Sequence, residues 1–178
     1  DGVFNNEDYI LFYAEGVDTW NTESLTSVNL FSNKSYYYIT NKPGGGKRIE
    51  AAIEPSGNAS LTFSNFDDVT YYEKDLVNPG KVGRRWFGEQ FNIENTQVFD
   101  FVLPNLDTSV PVSYRINTAS RSFGLSSFAL RINNQTMGTI NFSVPLVPSS
   151  GTEGYESAIS GVFNANSNTI SVELTYNN

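Results

Sequence analysis

Apolar residues recur with a period of two along most of the chain, the signature of strands with one buried face. The pattern predicts strands at Tyr9–Ala14, Lys34–Thr40, Arg48–Ile53, Ala59–Phe63, Val69–Tyr72 and Arg84–Phe91. It predicts six more at Val98–Leu103, Val112–Thr118, Ser127–Ile132, Thr136–Val144, Ala158–Phe163 and Thr169–Tyr176. In Thr169–Tyr176, Ile170, Val172, Leu174 and Tyr176 share one face, while Ser171, Glu173 and Thr175 share the other. Phe128, Leu130 and Ile132 alternate in the same way with Ser127, Ala129 and Arg131. Both read as half-buried strands of antiparallel sheets.

Turn chemistry separates these runs: Lys42-Pro-Gly-Gly-Gly46, Pro55-Ser-Gly-Asn58, Asn78-Pro-Gly80, Asn133-Asn134, Pro148-Ser-Ser-Gly151 and Asn164-Ala-Asn-Ser-Asn168. Trp20–Phe31 has a few apolar residues at helical spacing, but its Ser, Thr and Asn content favours a loop. Many short strands without intervening helices predict an all-β antiparallel sandwich, jelly-roll-like, with little or no helix. No internal repeat or linker interrupts residues 1–178, so a single domain is expected. A chain of this length buries roughly 68–70% of its unfolded surface, so it needs no disulfide to hold a core. The 13 Phe, 10 Tyr and 2 Trp supply that core.

Charge narrows the partners. Eleven Lys and Arg against 19 Asp and Glu give a net charge of −8. Nucleic acids and anionic membrane surfaces both recruit excess cationic side chains, so neither is expected as a partner. No apolar run approaches the roughly 20 residues of a membrane-spanning helix. The chain has no Cys and no His. That removes thiolate zinc sites, Cys nucleophiles and Ser-His-Asp catalysis from within it. The chain opens at Asp1 without Met or a visible signal peptide, which leads us to expect a piece of a longer protein.

Residues 82–91, Val-Gly-Arg-Arg-Trp-Phe-Gly-Glu-Gln-Phe, concentrate the most chemistry. Alternation sets Arg84, Trp86, Gly88 and Gln90 on one face and Arg85, Phe87, Glu89 and Phe91 on the other. Phe87 and Phe91 call for burial, which would draw Glu89 inward beside Arg85. A bulge at Gly88 would instead turn Glu89 outward. The stretch reads either as a sheet element holding an ion pair or as an Arg/Trp/Glu recognition patch.

Other motifs carry less. Asp1–Asp8 is rich in oxygen ligands but lacks EF-hand spacing, so a polar turn is expected and no metal. Asp67-Asp68, with Glu73 and Asp75, reads as a solvated acidic edge. Asp107-Thr-Ser109 is similar to the aspartic peptidase motif, but it has no second copy to share a proton and lies in a turn between Pro104 and Pro111. A glycosidase needs two suitably spaced carboxylates, and nothing singles out a pair. Tyr36-Tyr37-Tyr38, Tyr71-Tyr72, Trp20 and Trp86 are candidates to stack on sugars, the alternative function being a carbohydrate-binding module. Sequons begin at Asn33, Asn58, Asn134 and Asn141 and matter only in a eukaryotic secretory pathway.

Four stretches in order carry a family resemblance. They are Asp1-Gly-Val-Phe with Asp8-Tyr-Ile-Leu-Phe-Tyr-Ala-Glu-Gly16, then Trp20, then Asn33-Lys-Ser-Tyr-Tyr-Tyr-Ile-Thr40, then Gly83-Arg-Arg-Trp-Phe-Gly-Glu-Gln-Phe91. Over roughly the first 105 residues the chain resembles the region preceding the peptidase domain in gingipain-like cysteine peptidases, most of all the type IX secretion system sortases of Bacteroidetes. Beyond that only the β pattern fits. The resemblance implies an exported protein of the periplasm or outer-membrane surface, whose parent enzyme removes sorting signals from cargo and helps anchor cargo to lipopolysaccharide. It places the catalytic Cys and His in a separate downstream domain, so no catalytic residue carries over and no cofactor is implied. The expected partners are that downstream domain and other type IX secretion components. The binding candidates are Arg84, Arg85, Trp86, Glu89 and Trp20.

Overall fold

The computed structural model describes residues 5–6, 8–19, 21, 26, 28–29, 31–40, 43–44, 50–79, 81, 85–143 and 155–178. The chain comprises two compact units, Asp1–Val69 and Thr70–Asn178. All six named strands lie in the second. They are β1 (Thr96–Val102), β2 (Val112–Ser120), β3 (Ser126–Ile132), β4 (Gln135–Phe142), β5 (Tyr155–Phe163) and β6 (Thr169–Asn177). No helix occurs among the described residues.

The strands form two antiparallel sheets, one of four strands in the order β1-β6-β3-β4 and one pairing β2 with β5. The all-β sandwich expected from the alternation is therefore present. Only β3 and β4 are joined as a hairpin; every other connection passes from one sheet to the other. Asn133 and Asn134 make the hairpin turn with φ of 46° and 64°. A two-residue loop with both residues left-handed matches the twist of its strands, and Asn tolerates that geometry. Asn133 also extends the β3–β6 ladder: its Oδ1 accepts from Ser171 N at 2.8 Å, and its own N donates to Ser171 O at 2.9 Å.

The core lies between the sheets. Phe128, Leu130 and Ile132 of β3 are buried with Ile140 and Phe142 of β4, Ile170 and Leu174 of β6, Phe163 of β5 and Ala165 just beyond it. Both alternations read in β3 and β6 thus face inward as expected. Ring contacts centre on Phe128, whose centroid lies 4.9 Å from Phe91, 6.0 Å from Phe142 and 5.0 Å from Tyr176. The buried hydroxyls are satisfied. Ser120 Oγ lies 2.8 Å from Ser126 Oγ and 3.0 Å from Tyr176 Oη, and Thr118 Oγ1 donates to Ser157 O at 3.2 Å.

Two glycines record close approaches. In β4, Leu130 faces Gly138 but Arg131 faces Thr136, so Met137 is the extra residue of a bulge. Gly138 has φ of +144°, and a Cβ there would lie 3.2 Å from Ile159 Cδ1 of β5. Gly161 in β5 faces Tyr114 across the pair. The Tyr114 ring lies over it, so a Cβ there would fall 2.7 Å from the phenol oxygen.

The first unit departs from expectation. The residues described within Tyr9–Ala14, Lys34–Thr40 and Ala59–Phe63 form no regular strand, nor does Val69–Tyr72 at the junction of the units. Of the strand expected at Arg48–Ile53, Arg48 and Ile49 lie outside the described residues, and the remainder is not a strand. The turn expected at Pro148–Gly151 also lies outside them. Among the described residues these stretches have no ladder partner: alternation prepares a face, but a strand also needs a neighbour for its backbone groups. Among the described residues, several ties run between residues 12–18 and 29–37. Tyr37 Oη and Ser35 Oγ donate to Glu15 O at 2.6 and 3.2 Å, Asn29 N donates to Asp18 Oδ1 at 2.8 Å, and the Phe12 and Tyr37 rings are 6.1 Å apart. Asn21 and Thr26 form an isolated bridge.

Candidate functional site

The two-stranded sheet is too narrow to cover all four strands of its partner. The gap falls over β1, whose inward side chains are Gln97, Phe99 and Phe101. Residues 72–91 help to fill it. The Tyr72 ring packs 5.0 Å from Phe99, Phe91 packs edge-on against Phe128, and Gln97 Nε2 donates to Gln90 O at 2.8 Å.

This segment folds back on itself once. Phe87 N donates to Val77 O at 2.7 Å, and Phe87 O accepts from Leu76 N and Val77 N, each at 2.9 Å. Asn78-Pro79 opens the turn predicted there, with Lys81 N donating to Asn78 O at 3.1 Å. Pro79 suits the second position of such a turn because its ring fixes φ. The described part of the expected strand, Arg85–Phe91, is therefore not a regular strand: within it Phe87 alone forms a bridge. With no ladder, there is no bulge at Gly88 to form.

The charged groups pair differently from the alternation. Arg85 does not meet Glu89. It grips Glu156 at the start of β5, with Nε 3.1 and 3.0 Å from the two carboxylate oxygens and Nη2 also on Oε1. Its Cζ lies 5.8 Å from the Phe87 ring centroid, within cation–π range. Glu89 instead accepts from Tyr72 Oη and, at 3.0 Å, from Lys74 Nζ, while Lys74 sits 4.9 Å from the Tyr72 centroid. Strand alternation carries no information on a partner 71 positions away, so Glu156 was invisible to the sequence.

These pairings set the electrostatics. The hydrogen bonds from Arg85 hold the Glu156 carboxyl below the usual range against the opposing effect of burial. The same bonds raise Arg85 further. At Glu89 burial pushes the carboxyl up, but hydrogen bonds from Tyr72, Lys74 and its own backbone outweigh it, and the net shift is downward. Hydrogen bonds to Tyr72 and then Glu89 raise Lys74. Asp107 is likewise lowered, by the Ser109 hydroxyl at 2.6 Å and the Ser109 N–H at 2.9 Å. These three carboxyls all shift downward, opposite to what a general acid requires.

Trp86 is 44% exposed at the outer side of the segment. Arg84 and Trp20 lie outside the described residues, as do Asp1–Phe4 and Glu7 of the acidic opening. Asp8 closes a local turn, its Oδ2 accepting from Asn5 N at 3.0 Å. Asp68 Oδ1 caps Val69 N at 2.8 Å. Among the described residues no three His, Cys, Asp or Glu side chains converge as metal ligands. Of the aromatic candidates, Tyr36 and Tyr38 are exposed while Tyr37 spends its hydroxyl on Glu15.

No family model matches the chain, and no curated protein matches it. Among solved structures, it is similar to dimeric latent PorU from Porphyromonas gingivalis at 24% identity and a TM-score of 0.44, over 60% of this chain and 10% of that one. The chain thus spans about a tenth of the length of that protein.

Proposed function

We propose that this chain is a non-catalytic accessory β module of a surface-exported, gingipain-like peptidase of the type IX sortase kind. Its role is to support or dock the downstream catalytic domain or other secretion components. The observation that carries the reading is how the 85–91 stretch, the heart of the motif resemblance, is used. Its charges are engaged in fixed ties, Arg85 with Glu156 and Glu89 with Tyr72 and Lys74. Its Phe91 is spent on the core. That is the pattern of a shaped surface rather than of a reacting group. The absence of both Cys and His from the sequence supports leaving thiol proteolysis to another part of the parent enzyme.

Trp86 separates folding from docking, because it is partly exposed and has no ring partner among the described residues. In the parent enzyme, Trp86→Ala is expected to leave the unfolding midpoint within experimental error while reducing cargo processing. Processing and midpoint both unchanged would remove Trp86 from the docking face. Release of a sorting signal by the isolated chain would overturn the proposal.

The exposure of Tyr36 and Tyr38, 72% and 90%, favours a second reading as a carbohydrate-binding module. Titration of a broad glycan panel followed by intrinsic fluorescence tests it, and a silent panel rejects it.

A further inference from the structure

Strand β1 lies at the margin of the four-stranded sheet, and among the described residues β6 is its one paired neighbour. In an antiparallel pair, alternate residues turn their backbone groups toward the neighbour. Two hydrogen bonds fix which ones do so here. Tyr176 N donates to Asn95 O at 2.7 Å, and Leu103 N donates to Asn168 O at 2.8 Å. Both lie in register with the pairs Thr96–Thr175 and Val102–Thr169. Asn95 and Leu103 therefore face β6, and so do Gln97, Phe99 and Phe101 between them. Thr96, Val98, Asp100 and Val102 direct their N–H and C=O groups to the open margin. Among the described residues, none of these groups has a backbone partner.

Sheet margins are usually blunted by a bulge, a proline or a basic residue. Of the other outer strands, β2 and β4 show such devices and β5 does not. β4 carries the Met137 bulge and approaches β5 at Gly138. β2 follows Pro111 and exposes Arg115. β1 has no Lys, Arg or Pro and keeps an unbroken register over seven residues. Its open side carries Val98 and Val102, 52% and 61% exposed, on either side of the exposed Asp100. Asp100 forms no ion pair among the described residues.

We propose that the open margin of β1 accepts an extended segment of another polypeptide, one that places Lys or Arg opposite Asp100 and β-branched residues opposite Val98 and Val102. Backbone pairing supplies the attachment, and alternate side chains supply the selection. The pattern, apolar-x-basic-x-apolar, reads the same in both directions, so either strand polarity satisfies it. A second copy of this chain fits poorly. Antiparallel self-pairing centred on Phe99 sets Asp100 against Val98 and brings two Asp100 carboxylates onto neighbouring diagonal positions, where like charges repel.

The test uses the whole 178-residue chain, isotopically labelled, with two blocked heptapeptides, Thr-Val-Thr-Lys-Thr-Val-Thr and its counterpart with Glu at the centre. The lysine peptide is expected to shift the amide signals of Val98, Asp100 and Val102 and slow their hydrogen exchange. Those of Gln97, Phe99 and Phe101, already bonded to β6, should change little. The glutamate peptide is expected to bind about five-fold more weakly, the scale of a cross-strand charge pair. Asp100→Lys should reverse that preference. Val98→Pro should abolish binding, since its lost N–H points away from β6. The proposal is overturned if neither peptide perturbs β1 or if both bind equally. It is also overturned if Val98, Asp100 and Val102 are already protected in the free protein, or if the chain self-associates through β1. Because Asp100→Lys alters only an exposed side chain, its result stands even if Val98→Pro fails to fold.

Discussion

Replacing Arg85 and Glu156 by alanine, singly and together, measures the tie between the 72–91 segment and β5. Both guanidinium and carboxylate remain partly wet, with side chains 55% and 42% exposed. Two unit charges about 4 Å apart attract by roughly 1 kcal/mol in bulk water. Holding two long side chains in place subtracts from that, while forked geometry adds to it. The expected coupling is about 0.5–1 kcal/mol, at the upper end for exposed pairs. It should shrink in 1 M salt, where the screening length falls to about 3 Å. The assay is denaturant unfolding followed by the fluorescence of Trp86, one position from Arg85 in sequence. A parallel cycle between Arg85 and Glu89 is the control, since those residues do not touch and should couple by less than about 0.3 kcal/mol. Coupling to Glu89 rather than Glu156, or to neither, would refute the assignment of the tie.

Phe128→Ala should cost about 3–5 kcal/mol, because the ring is 4% exposed and sits at the centre of the aromatic cluster; chemical denaturation checks it. Gly161→Ala should push the Tyr114 ring aside and lower stability by about 1–3 kcal/mol, with less effect in a Tyr114→Ala background. Asn134→Ala should cost about 1–2 kcal/mol because its φ of 64° suits Asn or Gly, whereas Asn134→Gly should be neutral or better in thermal unfolding. The acid side of the stability curve should depend on Glu89 and Glu156. Both folded values are depressed, so their contribution is fully present above the unfolded value of about 4.3 and is lost as pH falls through the folded values. Glu89→Gln with Glu156→Gln should therefore flatten the loss of stability below about pH 4.3 in acid titrations followed by circular dichroism.

The second unit was largely legible from its alternation. β3 and β6 bury the faces read for them, and the Asn133-Asn134 turn sits where its residues demand left-handed backbone. The ends of strands moved by a few residues, as at β5, which begins at Tyr155 rather than Ala158. Alternation tracks burial, but a strand ends where hydrogen bonding ends. In the first unit the same signal misled, since Phe12 and Tyr37 alternate like strand residues yet meet through a ring contact, with the Tyr37 hydroxyl donating to Glu15 O. At the candidate site the pairing differs from the one the alternation suggested. Arg85 and Glu89 share a face only in an extended strand, and the chain turns at Asn78-Pro79 to use a partner from β5 instead. The open margin of β1 left no trace in composition, because it depends on which strand ends up outermost.

The mismatch in width between the two sheets has a consequence for where an independently folding piece begins. A polypeptide starting at Thr96 would retain all six named strands and lose from the β1–β6 ladder the bond from Tyr176 N to Asn95 O. It would nonetheless strip Tyr72 from Phe99 and Phe91 from Phe128, leaving greasy rings open to water on one flank. The cooperative body therefore reaches some twenty-five residues upstream of its first strand, and irregular chain there is as much a wall of the building as the sheets are.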